Sequence, residues 1–92
     1  MQKIEREALK RGLAKGYVSI EEDLYGCIGV CCKIGDCAFY FTQGDDSRDA
    51  YLKIHTEEQT ADILYSILCT KEQAQTYGIY EDEWEYYRAV LS

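Results

Sequence analysis

Ninety-two residues, 47% of them apolar, are enough for one domain with a modest core over 1–92 and too apolar for a disordered chain. Seventeen acidic against ten basic residues leave a net charge of −7, so direct nucleic-acid binding is not expected of the surface as a whole. No apolar run approaches the roughly 20 residues of a membrane helix, and the opening Met-Gln-Lys-Ile-Glu-Arg-Glu has no apolar signal stretch, so a cytoplasmic location without a membrane partner is expected.

A first helix is expected over 2–15, where Ile4, Ala8, Leu9 and Leu13 recur at helical spacing with charges on the other sides. Glu5 and Glu7 lie toward its start and Lys10, Arg11 and Lys15 toward its end, which suits the helix dipole. Gly12 weakens the helix and Gly16 offers a stop. Residues 1–15 hold five basic and two acidic side chains, and the rest of the chain five basic and fifteen acidic. This basic face suits an acidic partner, a phosphate backbone or the protein's own carboxylates. Residues 17–22 alternate, with Val18 and Ile20 inward, as a short strand beside a hairpin.

The hairpin is expected over 26–42. Gly35-Asp36 is a two-residue turn with glycine first, as a type II′ turn requires. That turn sets Ile34 opposite Cys37, Cys32 opposite Phe39, Val30 opposite Phe41 and Ile28 opposite Gln43. One face then carries Ile28, Val30, Cys32, Ile34, Cys37, Phe39 and Phe41. The other carries Cys27, Gly29, Cys31, Lys33, Ala38, Tyr40 and Thr42.

Residues 43–49 are polar and acidic and read as a loop, with Ser47 placed to cap a helical turn through Tyr51 and Leu52. Thr56-Glu57-Glu58-Gln59 is a capping box opening a helix to about Cys69, whose stripe of Ala61, Ile63, Leu64, Ile67 and Leu68 is expected to cover Phe39 and Phe41. Thr70 caps a short helix over 71–77 that Gly78 ends. A terminal helix follows, with Asp82 as its cap and Trp84, Tyr87 and Leu91 along one side. The fold class is therefore α+β: an N-terminal helix, a two- or three-stranded antiparallel meander, then two or three C-terminal helices packed on the sheet.

Candidate chemistry is thin. Five cysteines in a cytoplasmic chain are expected to be reduced. The spacing Cys-x3-Cys-Cys-x4-Cys lacks the paired Cys-x2-Cys of zinc ribbons. In the hairpin Cys27 and Cys31 lie ~13 Å apart on one face, with Cys32 and Cys37 on the other, which suits small buried hydrophobes better than one zinc ion. His55 is the only histidine and the only candidate base for a cysteine nucleophile, and its place before a helix start fits a capping or surface role. Asp45, Asp46 and Asp49 lack the order of a calcium loop, with Arg48 among them. No catalytic, cofactor or metal residue is expected.

Nine tyrosines and one tryptophan are many for so small a core, and aromatic side chains with a polar tip favour interfaces. Tyr80, Glu81, Glu83, Trp84, Tyr86 and Tyr87 form the candidate partner surface, which equally reads as a terminal helix with amphipathic side chains at its rim. The stretches Val30-Cys31-Cys32-Lys33-Ile34-Gly35-Asp36, Phe39-Tyr40-Phe41, Tyr51-Leu52-Lys53 and Glu83-Trp84-Glu85-Tyr86-Tyr87 resemble small uncharacterised proteins encoded on conjugative elements of Gram-positive gut bacteria. That resemblance covers about half of the chain through structural stretches. It implies an accessory role on a mobile element and assigns no site residue. The expected function is a non-enzymatic interaction or regulatory protein with a protein partner, and an edge strand in need of cover makes a homodimer plausible. The alternatives are an acidic charge mimic that inhibits a nucleic-acid-binding protein, and a small cysteine-dependent or zinc-binding protein.

Overall fold

The structure, a computed structural model, describes residues 2–22, 29–43 and 47–92. Its elements run α1 (Arg6–Lys15), β1 (Val18–Glu22), β2 (Gly29–Ile34), β3 (Cys37–Gln43), α2 (Arg48–Ile54), α3 (Glu57–Leu68), α4 (Lys71–Thr76) and α5 (Glu81–Leu91). This is the expected α+β arrangement, with the meander three-stranded in the order β1-β2-β3 and both pairings antiparallel. Four helices follow the sheet among the described residues, because the Ser47-capped turn extends into α2. The readings placed on Gly26, Cys27, Ile28, Asp45 and Asp46 lie outside the described residues.

The turn chemistry holds at the hairpin. Gly35 has φ +61° and no non-glycine residue among the described residues has positive φ, which is the pattern of type II′ rather than I′. Ile34 faces Cys37 and Cys32 faces Phe39 as the spacing predicts. Farther from the turn the register differs. Val30 faces Thr42 rather than Phe41, and Gly29 rather than Ile28 faces Gln43. A bulge between Val30 and Cys31 leaves Phe41 as one extra residue in β3.

One sheet face is apolar and covered. Val18, Ile20, Val30, Cys32, Ile34 and Phe41 are buried there, and Phe39 and Cys37 pack against the same core. The two phenylalanines take their aromatic partners from α5 and α2. Phe39 lies 5.6 Å, ring centre to ring centre, from Tyr87 of α5, and Phe41 makes an edge-on contact at 5.2 Å with Tyr51 of α2. The α3 helix packs between α1 and α4 and fills the core with Leu64, Ile67 and Leu68. Its capping box is complete: the Thr56 hydroxyl accepts from Gln59 N–H, and the Gln59 side chain accepts from Thr56 N–H.

Helix starts shift where longer-range bonds compete. Ile4 is buried, yet it precedes α1, because its N–H donates to the Cys69 carbonyl at 2.9 Å and holds that segment extended. Helix α1 therefore starts at Arg6, with Glu5 at the cap. Arg6 then reaches Glu58 at 2.6 Å, and Lys10 pairs with the same carboxylate. Gly12 packs where an added methyl would stand 2.7 Å from Val18 and 2.8 Å from Leu91, so α1 lies close against β1 and α5. Of the stretch 43–49 expected as a loop, Gln43 belongs to β3 and Arg48 and Asp49 to α2.

Candidate functional site

The α4–α5 corner is built by local rules. The Thr70 hydroxyl accepts from Gln73 N–H and starts α4. At its end Gly78 turns left-handed at φ +82°, Gly78 N–H donates to Gln75 and Ile79 N–H to Ala74. That is a Schellman motif, completed by the burial of both Ala74 and Ile79. Ile79 plugs into the core and fixes the direction of entry into α5. The cap of α5 is consequently Tyr80, not Asp82, which sits inside the first turn and accepts from Glu83 N–H.

The predicted partner surface divides into three parts. Trp84 and Tyr87 have no exposed area and are core, which corrects their assignment to a surface. Trp84 donates its indole N–H to the Leu68 carbonyl at 2.9 Å, capping the C-terminal end of α3. The Tyr87 hydroxyl is buried with no hydrogen-bond partner among the described residues, and burial pushes its phenol well above the ordinary range. Tyr86 is half-buried and serves the hairpin, its hydroxyl accepting from Asp36 N–H at 2.9 Å beside Gly35. Glu83 is likewise half-buried and close enough to Tyr87 to raise its phenol further. Only Tyr80 and Glu81 stand outside.

Around Tyr80 the exposed corner has its own composition. Tyr80 is 73% exposed and Tyr77, just before the Gly78 turn, 56% exposed. Glu81 and Asp82 are exposed beside them. Lys71 pairs with Glu81 at 3.2 Å, and that bond raises its ammonium pKa. Two phenols and two carboxylates on a rigid turn offer stacking area and hydrogen-bond acceptors to a cationic group.

The sequence reading gave no weight to two other exposed features. Ile54 is 70% exposed and Leu52 43% at the end of α2. Leu52 also borders a groove of about 280 Å³ between β1 and the start of α3, with Arg48, His55 and Ile20 in its wall. Leu52 and Ile54 stand two steps apart at the end of a seven-residue helix whose buried residue is Tyr51. His55 stacks flat on Tyr51 at 4.0 Å and turns Nδ1 to the Tyr51 carbonyl at 3.1 Å.

Of the described cysteines, Cys31, Cys32 and Cys37 lie in the sheet and Cys69 at the end of α3. Cys32 is buried in the core, where desolvation pushes its thiol far above the ordinary range and away from thiolate. Cys31 and Cys37 are half-buried on neighbouring strands, and Cys69 is half-buried at the end of α3. Among the described residues no three His, Cys, Asp or Glu side chains gather into a metal-binding group, and no helix is long and apolar enough to cross a membrane. Comparison of the chain with family models, curated proteins and solved structures gave no match.

Proposed function

We propose that the chain is a small non-enzymatic interaction protein, accessory to a bacterial mobile element, that engages a protein partner through the α4–α5 corner. The observation that carries this reading is the exposure of Tyr77 and Tyr80 beside Glu81 and Asp82, on a turn whose backbone is fixed by the Schellman motif and by the burial of Ile79. A preorganised turn loses little entropy on binding, and a basic segment of the partner supplies the complementary charge. The test is affinity capture from the native host with wild type and a Tyr77→Ser/Tyr80→Ser pair. Both side chains are exposed, so the pair should melt as wild type does while losing the captured protein. Unchanged capture would sink the reading.

A second reading, charge mimicry against a nucleic-acid-binding protein, draws on a different observation. Arg6 and Lys10 of the basic first helix are taken up by Glu58 and Asp62, so the chain's largest concentration of positive charge is partly neutralised and its acidic excess faces outward. It predicts partner binding that weakens steeply with salt and competes with duplex DNA. The corner reading predicts weaker salt dependence and sensitivity to Tyr80.

A further inference from the structure

Most of the positive charge in this acidic chain is spent on its own carboxylates. Lys3, Arg6, Lys10, Arg48, Lys71 and Arg88 each pair with an Asp or Glu. Among the described residues Arg11, Lys15, Lys33 and Lys53 form no ion pair. Three of those four gather at one place. Arg11 and Lys15 stand about one turn apart on α1, both exposed. Lys33 lies opposite Ser19 on the solvent side of the sheet, between the buried Cys32 and Ile34.

The ground between these cations is shaped. A groove of about 90 Å³ is walled by Arg11, Lys15 and Tyr17, and one of about 260 Å³ by Tyr17, Ser19 and Lys33. Both are bordered by Tyr17 and Val90, so one runs on from the other. Tyr17 is 54% exposed at their junction. Its backbone is held from both sides: Gly16 turns left-handed at φ +83° to close α1, and the Tyr17 carbonyl accepts from Gly35 N–H at 3.3 Å.

The helix dipole explains a cation at the end of α1. It does not explain Lys33, and a lysine that guards a sheet edge belongs on an edge strand, whereas β2 is the central one. The larger groove is also bordered by Glu21, which accepts from the Ser19 hydroxyl at 3.0 Å, and by Asp36. These two carboxylates select among anionic partners. A nucleic-acid strand brings a charge at every phosphate and no backbone donor, so it meets Glu21 and Asp36 with repulsion alone. A peptide brings carboxylates that can be spaced to match three cations, and N–H groups that can donate to the two acids. We propose that this groove binds an acidic segment of a protein partner, its Asp and Glu side chains pairing with Arg11, Lys15 and Lys33 while its chain crosses Tyr17. The groove lies by Val90 near the end of α5 and the α4–α5 corner lies at the start of that helix, ~15 Å away at the usual rise per residue. Neither proposal depends on the other.

The experiment titrates the isotope-labelled full chain with a short peptide of alternating Glu and Ser and follows the backbone amide shifts. The expected result is a saturable shift centred on Lys15, Gly16, Tyr17 and Lys33 that weakens as salt is added. Arg11→Gln/Lys15→Gln/Lys33→Gln should bind about tenfold more weakly, the loss expected of three exposed ion pairs. Its side chains are exposed, so it should melt close to wild type. Arg11→Gln/Lys33→Gln leaves the last turn of α1 intact and should still bind more weakly than wild type if the triple variant melts early. Lys53→Gln makes the same change of charge away from both grooves and should bind as wild type does. The absence of a saturable shift, shifts scattered over the surface, or an equal loss in Lys53→Gln overturns the proposal. So does a single-stranded oligothymidylate of equal charge that shifts the same amides and binds as tightly as the peptide.

Discussion

Tyr87 packs its ring against Phe39 and Tyr86 and leaves its hydroxyl buried without a partner among the described residues. A buried unpaired hydroxyl costs about 1–3 kcal/mol, whereas the ring contributes by burial and aromatic contact. Tyr87→Phe keeps the ring and removes the cost, so urea unfolding at neutral pH should show unchanged or higher stability. Burial also raises the folded-state pKa of this phenol above its unfolded value. The associated stability is complete below the ordinary phenol pKa and is lost as pH rises toward the folded one. Tyr87→Phe should therefore flatten the alkaline limb of the stability profile, and a limb of unchanged steepness would assign it elsewhere. At this scale much was legible. The spacing of Trp84, Tyr87 and Leu91 gave the buried side of α5, although their chemistry as aromatic residues suggested an interface. The aromatic count misled because a Tyr or Trp can be swallowed whole once its polar atom is met, as Leu68 meets Trp84, or is left unmet, as in Tyr87. The close packing at Gly12 was not legible, since sequence shows only that a methyl is missing and not what stands against the gap.

Helix ends show which elements are governed locally. Ser47, Thr56 and Thr70 each cap the helix that the sequence assigned to them, because a side-chain cap needs only the next three residues. The starts of α1 and α5 moved because their neighbours Ile4 and Ile79 are held by distant parts of the fold. The bulge in β3 was hidden for the same reason: a two-residue turn fixes register near itself, and the slip occurs at the far end. Between elements, the α1–α3 contact is marked by Glu58, whose carboxyl pKa is lowered by hydrogen bonds from Lys10 and then Arg6. A depressed folded pKa means that this contribution is present above the unfolded carboxylate pKa and is lost as pH falls through the folded value. Lys10, raised chiefly by its bond to Glu58, behaves oppositely, its share being lost only as pH rises through its folded pKa. Glu58→Gln should thus lower the melting temperature at neutral pH and bring it closer to wild type in acid. Glu58 is exposed and Arg6 and Lys10 are in part open to solvent, so the effect should be modest and shrink in high salt. A salt-independent difference would argue for a packing role.

At the scale of the molecule, fold class and strand order were readable because antiparallel neighbours are joined by short connections and each strand announces its buried face by alternation. Which helix covers which strand was not readable. The apolar stripe of α3 and the Phe39/Phe41 face both join one core, yet the phenylalanine rings pack against Tyr87 of α5 and Tyr51 of α2, partners that no local pattern singles out. The candidate surface was legible in outline for a similar reason: Tyr80 and Glu81 stay outside because Ile79 immediately before them goes in.

The bond from Trp84 to the Leu68 carbonyl has a practical consequence. The chain has one tryptophan, and it is sealed where the last helix meets the end of α3, next to the carbonyl of Cys69 that anchors the N-terminal segment. Its fluorescence is therefore a built-in reporter on the joining of the chain's first, middle and last parts. If those parts separate together, the red shift of its emission and the loss of helical circular dichroism should share one midpoint in urea. An emission shift that precedes the loss of helix would show α5 leaving as an independent unit.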